Sequence, residues 1–233
     1  GWADRDDPGP TGGTVSYDTG TSGDFHGTTQ DYAAVAHDSA FEVADGTVQF
    51  WFNADTTNGT QTLFAKDGYG NDGGLTISLV GDTLTVQMED GGTSYAIMAD
   101  TAVGTGSWHN VALTFGANGM ALYLDGVVVG TNAFTGGLTD NRDAIVIGAS
   151  NERNRSNDLS RQRLINAFDG HIDEVAVYGQ ALTVAQIQAV ITSGPLAAVD
   201  VSGFSFEANA AAGGSDDWLW LDDHGCPCGP GWF

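Results

Sequence analysis

Apolar side chains recur at every second position along most of this chain. Val48, Phe50 and Phe52 alternate with Thr47, Gln49 and Trp51, which is the period of a strand with one buried face. Leu75, Ile77 and Leu79 repeat the pattern, and Leu84, Val86 and Met88 continue it beyond Gly81-Asp82. Gly-Asp between two alternating runs suits a type II′ hairpin, because glycine accepts positive φ at the first central position. Val111, Leu113 and Phe115 lead to a turn at Ala117-Asn118-Gly119, and Met120, Leu122 and Leu124 follow it. Asp125-Gly126 makes a further tight turn into Val127-Val128-Val129. Residues 143–149 (DAIVIGA) and 171–178 (HIDEVAVY) add two late strands on either side of a long loop, 150–167. One helix is predicted, in ALTVAQIQAVITSGP. Thr183 caps it, Val184, Ile187 and Val190 (or Ile191) share a face, and Gly194-Pro195 stop it after about two turns. Short strands with turns at this spacing predict an all-β protein, an antiparallel two-sheet sandwich with one short C-terminal helix and extensions at both ends.

The chain divides into an irregular N-terminal arm (1–13), the sandwich (14–199) and a C-terminal extension (200–233). In the extension, Phe204 and Phe206 alternate as in a strand, and DDWLWLDDHGCPCGPGWF gathers Trp218, Trp220, Trp232 and Phe233. Exposed, such an apolar cluster marks an interface, so these four are candidate assembly residues. The two cysteines, Cys226 and Cys228, stand too near the end to staple the sandwich. A C-x-C disulfide closes a small strained ring, a bond between chains is an alternative, and a zinc site would need four ligands where His224 supplies a third. A disulfide within or between chains is the preferred reading.

Charge narrows the function. Thirty acidic residues face seven basic ones, for a net charge of −23, and Lys66 is the single lysine. Such a field repels nucleic acid and anionic membranes, and it suits a protein outside the cell in salty water. No stretch of about 20 apolar residues is present to span a membrane. A start at Gly1 rather than Met reads as a processed product.

KDGYGNDGGL (66–75) nearly spells a calcium-binding nonapeptide, but a β-roll needs that motif in tandem and no second copy follows. The loop still offers oxygens from Asp67, Asn71 and Asp72; an ordinary Gly-Asx turn explains the same residues without an ion.

The stretches DFHGTTQDYAAV, GTVQFWFNA, GSWHNVALTF, MALYLDGVVV and GHIDEVAVYGQALTVAQI occur in the order found in laminin-G-like, concanavalin-type jelly-roll domains. The chain resembles their bacterial secreted branch from about Val15 to Ile191. The resemblance implies a jelly-roll sandwich with a non-catalytic role in binding glycans or proteins outside the cell, and often a bound calcium. It also implies that Asp173, in the middle of an apolar strand, holds that calcium with oxygens near Asp24. Against this, Asp173 can simply point outward or accept backbone N–H bonds.

Arg142, Arg153, Arg155, Arg161 and Arg163 are five of the seven basic residues, and arginines chelate carboxylates or sulfates. They make the 142–163 segment a candidate contact for an acidic polysaccharide or the acidic face of another copy. Trp51, Trp108 and Tyr123 are candidates for a sugar platform, though structural positions explain them as well. Paired carboxylates at alternate strand positions, as glycoside hydrolysis on this fold requires, are missing. Asp173 and Glu174 are adjacent, which sends their side chains to opposite faces. The expected function is therefore a calcium-stabilised extracellular binding or adhesion module for a glycan or surface ligand, and not an enzyme. The alternative is a self-assembling subunit whose arm or tail docks onto further copies of itself.

Overall fold

The computed structural model describes residues 22–27, 31–67, 73–151, 164–198 and 219–221. Within them, alternation becomes two sheets because each apolar row needs a second apolar row to cover it. One sheet contains β1 (Gly23–Phe25), β3 (Gly46–Ala54), β8 (Trp108–Phe115), β9 (Met120–Leu124), β10 (Val127–Asn132), β12 (Gly170–Tyr178) and β13 (Leu219–Leu221). Its order is β1-β12-β3-β8-β9-β10, with β13 also on β12. The other contains β2 (Ala33–Val35), β4 (Thr60–Lys66), β5 (Leu75–Val80), β6 (Thr83–Asp90), β7 (Thr93–Ala102) and β11 (Ile145–Ile147), in the order β2-β11-β4-β5-β6-β7. All pairings are antiparallel except β12 with β13, which is parallel.

Phe50, Phe52, Leu113 and Val177 from the first sheet meet Phe64, Ile77, Leu84 and Ile147 from the second in one continuous core. Two strands escape the alternation rule. β4 is buried along nearly its whole length and so reads as an unbroken apolar run (Leu63-Phe64-Ala65) with a bulge. β7 is largely exposed, and its polar residues give no clear period.

The turns follow their glycines. Gly81 has φ 62° and Asp82 is not left-handed, as a type II′ hairpin requires, while Asp125 (φ 52°) and Gly126 (φ 77°) are both left-handed, as a type I′ hairpin requires. In β12, Glu174 adopts φ 51° where the register against β3 shifts between Asp173 and Ala176. This bulge leaves Asp173 and Ala176 outward while Ile172, Val175 and Val177 all reach the core. Simple alternation across Asp173-Glu174 is thus corrected: the second carboxylate occupies the inserted position.

The helix α1 (Val184–Ser193) carries the expected cap, with Thr183 and Gln186 closing a reciprocal capping box. Its ten residues exceed two turns. Ile187 and Val190 are buried, but Val184 is 44% exposed, so the face is displaced from the one predicted. The helix lies on the outer surface of the seven-stranded sheet, over Ala112, Tyr123, Ala176 and Tyr178. Tyr123 is consequently buried and cannot serve as a sugar platform.

The Asp125 turn is clasped to the preceding strand. His109 Nδ1 lies 2.8 Å from Asp125 Oδ2, and the Asn110 amide donates to Asp125 Oδ1 at 2.8 Å. Burial alone raises the Asp125 carboxyl, but the bonds from His109 and Asn110 and the charge on His109 outweigh it, leaving it below 3.8. A depressed carboxyl contributes stability above its unfolded value, and that contribution disappears as pH falls through the folded value. Asp125→Asn is therefore expected to lower the melting temperature at pH 7, with the difference from the parent shrinking as pH drops below about 4. Thermal melts of both proteins from pH 2 to 7 check this.

Candidate functional site

Phe64 and Lys66 lie on the same side of β4, so the alternation that buries Phe64 also turns Lys66 inward, opposite Leu75. Lys66 is fully buried. An isolated ammonium there would be costly, and the chain surrounds it with oxygens. Nζ donates to Asn141 O at 2.9 Å, Asn141 Oδ1 at 3.1 Å and Asp143 O at 2.7 Å. Burial pushes its pKa down to about 8, with the charges of Asp143 and Glu42 opposing the shift.

Asn141, also fully buried, completes the knot from the other side. Its Nδ2 donates to Lys66 O and to Gly73 O, both at 2.8 Å, and its Oδ1 accepts the Asp143 amide at 2.9 Å. The turn at Gly73 (φ 84°) lies against the same segment, since a Cβ there would stand 3.5 Å from the carbonyls of Gly137 and Thr139. Next along the chain, the Asp67 amide donates to Asn151 Oδ1 at 3.3 Å, and Asn151 Nδ2 donates to Ala144 O at 3.3 Å. Ser150 and Ile165 exchange backbone bonds of 2.9 and 3.0 Å, closing the base of the arginine-bearing loop. Segments far apart in sequence therefore converge on one rim of the sandwich.

Of the candidates read from the sequence, Asp67 follows Lys66 and Arg142 follows Asn141, so each adjoins this knot along the chain. Arg142 is exposed between buried Asn141 and Asp143. Asp67 is buried against Gly74, and its Oδ2 accepts from Thr76 Oγ1 at 3.2 Å. Asn71, Asp72, Arg153, Arg155, Arg161 and Arg163 lie outside the described residues, as do Trp218, Trp232, Phe233, Cys226 and Cys228. Trp220 belongs to β13, which pairs with β12 of its own chain.

Asp24 and Asp173 meet elsewhere, on the outer surface of the seven-stranded sheet. Asp24 stands opposite His171, two residues before Asp173. Its side chain is 5% exposed, with His26 Nε2 at 3.6 Å and His171 Nδ1 at 3.9 Å. Asp173 Oδ1 accepts the Glu174 amide at 2.8 Å within the bulge. Calcium takes six to eight oxygens. Here two carboxylates share their surroundings with two imidazoles, and one of them is engaged by the bulge. No three His, Cys, Asp or Glu side chains form a metal-ligand group among the described residues. Trp51 and Trp108 are half-buried on the same surface, with the Trp108 ring 6.4 Å from that of His171.

Sequence reasoning noted Lys66 only as the single lysine, and it passed over Asn141, Asp143 and Asn151. The available signal was the inward register of Lys66 at the end of an apolar strand.

A two-sheet jelly roll with a helix across one outer surface and loops gathered at a rim is the architecture of lectin-like domains. The sequence pattern of the concanavalin A-like lectin/glucanases superfamily (the Laminin_G_3 family) matches residues 26–188, and the chain belongs to it. No curated protein matches the chain. Among solved structures, domain 4 of AbnA, an extracellular arabinanase from Geobacillus stearothermophilus solved with arabinotriose, is similar at 19% identity and TM-score 0.57, over 79% of this chain and 82% of that one. The sialidase module CBM40 from Ruminococcus gnavus is similar at 17% identity and TM-score 0.54, over 70% of this chain and 97% of that one. Domains LG4-5 of the mouse laminin alpha1 chain are similar at 18% identity and TM-score 0.52, over 68% of this chain and 43% of that one. At these identities the likeness shows the fold.

Replacing Lys66 removes the donor that three oxygens share. Lys66→Met is expected to destabilise the protein by about 3 kcal/mol, since buried acceptors left unmade cost about 1–3 kcal/mol each and the relief of lysine desolvation offsets part of the loss. Urea unfolding of parent and variant measures it.

Proposed function

We propose that this protein is a non-catalytic extracellular module that binds a glycan or a glycan-bearing surface ligand through the rim around Lys66. One observation carries the reading: segments some 75 to 85 residues apart are tied by buried side-chain bonds into one rim, so the exposed Arg142 projects from a fixed base. Rigid scaffolds that position exposed polar groups bind at low ordering cost. The family, and the arabinotriose and sialyllactose bound to similar structures, support a sugar ligand. The local cluster of arginines in an otherwise acidic chain supports an anionic one. No helix among the described residues is long and apolar enough to cross a membrane.

The test is a titration of the intact chain with sialylated and neutral arabino-oligosaccharides, followed by a broader glycan panel. Sialylated or other anionic glycans are expected to bind, and Arg142→Ala to weaken them about tenfold, or about 1.4 kcal/mol, without lowering the melting temperature. Absence of binding across the panel would count against the proposal.

A second reading, self-assembly, is favoured by β13. This short strand adds to the sheet edge at Ala176–Tyr178 at the end of a long connection, and an identical edge on a neighbouring copy accepts the same strand by exchange. Light scattering of the intact chain beside a version ending at Pro195 separates the two. A monomer in both cases removes the second reading.

A further inference from the structure

Lys66 and Asn141 place an amine against a carboxamide inside the protein. Both residues are fully buried, and Nζ stands 3.1 Å from Asn141 Oδ1. We propose that Lys66 and Asn141 join in an intramolecular isopeptide bond, a covalent tie from the end of β4 to the segment before β11. The proposal goes beyond the ligand-binding reading and stands or falls without it.

The surroundings are those an acyl transfer requires. Asn141 cannot turn away, because its Nδ2 is held by Lys66 O and Gly73 O. The amine is held beside the amide by its bonds to Asn141 O and Asp143 O. When Nζ adds to Cγ, negative charge develops on Oδ1, and that atom already accepts the Asp143 amide at 2.9 Å. A fixed N–H aimed at a developing oxyanion is a principal source of rate in such reactions.

Nucleophilicity follows from burial. Desolvation brings the lysine pKa down to about 8, which raises the share of neutral, nucleophilic amine near neutral pH. The carboxylates whose charges act on Lys66 are Asp143 and Glu42, and His37 Nε2 lies 3.2 Å from Glu42 Oε1.

The step balances without a co-reactant. The neutral Nζ attacks Cγ, forming the N–C bond as the carbonyl π pair moves onto Oδ1. One proton then passes from Nζ to Nδ2 within the adduct. The carbonyl re-forms, the Cγ–Nδ2 bond breaks, and ammonia leaves. Lys66 is the only lysine in the chain, so the branch point is unique.

The test is the intact mass of the full chain after denaturation, with a tryptic map. A product lighter by one ammonia, about 17 Da, is expected. Trypsin in denaturant should fail to cut after Lys66, and the peptide containing it should be joined to the peptide containing Asn141. Lys66→Arg, which keeps the charge but lacks the amine, should retain full mass. If Lys66→Arg does not fold, the tryptic map of the parent decides alone. A chain at full sequence mass and cleaved at Lys66 after overnight incubation at pH 8 overturns the proposal. So does an ammonia loss that maps to a succinimide rather than a link.

Discussion

The rim depends on the burial of one amine. Lysine is rarely buried fully because its charged form loses hydration that only several oxygens can replace. Here Asn141 and Asp143 supply three, and Asn141 must be immobile to do so. That requirement fixes the path of residues 137–144, and this path in turn braces the turn at Gly73. Asp67 and Asn151 extend the same bonding to the base of the arginine-bearing loop.

The two outer surfaces of the sandwich are used differently. On the seven-stranded sheet, α1 covers Ala112, Tyr123, Ala176 and Tyr178, and Gln49 beneath it donates to Asn110 Oδ1 and to Ile187 O. Beyond the helix the same surface carries Asp24, His171 and Asp173. On the six-stranded sheet, Thr62 and Ser78 contact each other at 3.1 Å, and Thr76 bonds to Asp67. Asp67 therefore links that polar surface to the rim.

The strands that alternate were legible because one face of each is buried and the other is not. β4 and β7 were not legible, for opposite reasons: one is buried on both faces and the other is largely exposed on both. The bulge at Glu174 was invisible for a different reason. A register shift is decided by the partner strand, and nothing in GHIDEVAVY states which residue will be the inserted one. Of the candidate site, Asp67 and Arg142 were found by residue type, but the bond between their neighbours Lys66 and Asn141 was not. The resemblance pointed to Asp24 and Asp173 as a pair, and they do share a surface, yet with histidines around them.

By itself, the sequence determined the class of architecture, its turns, its capped helix and its acidic composition. These are local properties, set by side-chain period, by glycine at left-handed positions and by composition. Only the tertiary structure decided what surrounds Lys66. The oxygens that hold it come from residues 75 and 77 positions away, and nothing local distinguishes Asn141 from any other loop asparagine. A buried amine is defined by its neighbours, and those neighbours meet only when the two sheets close.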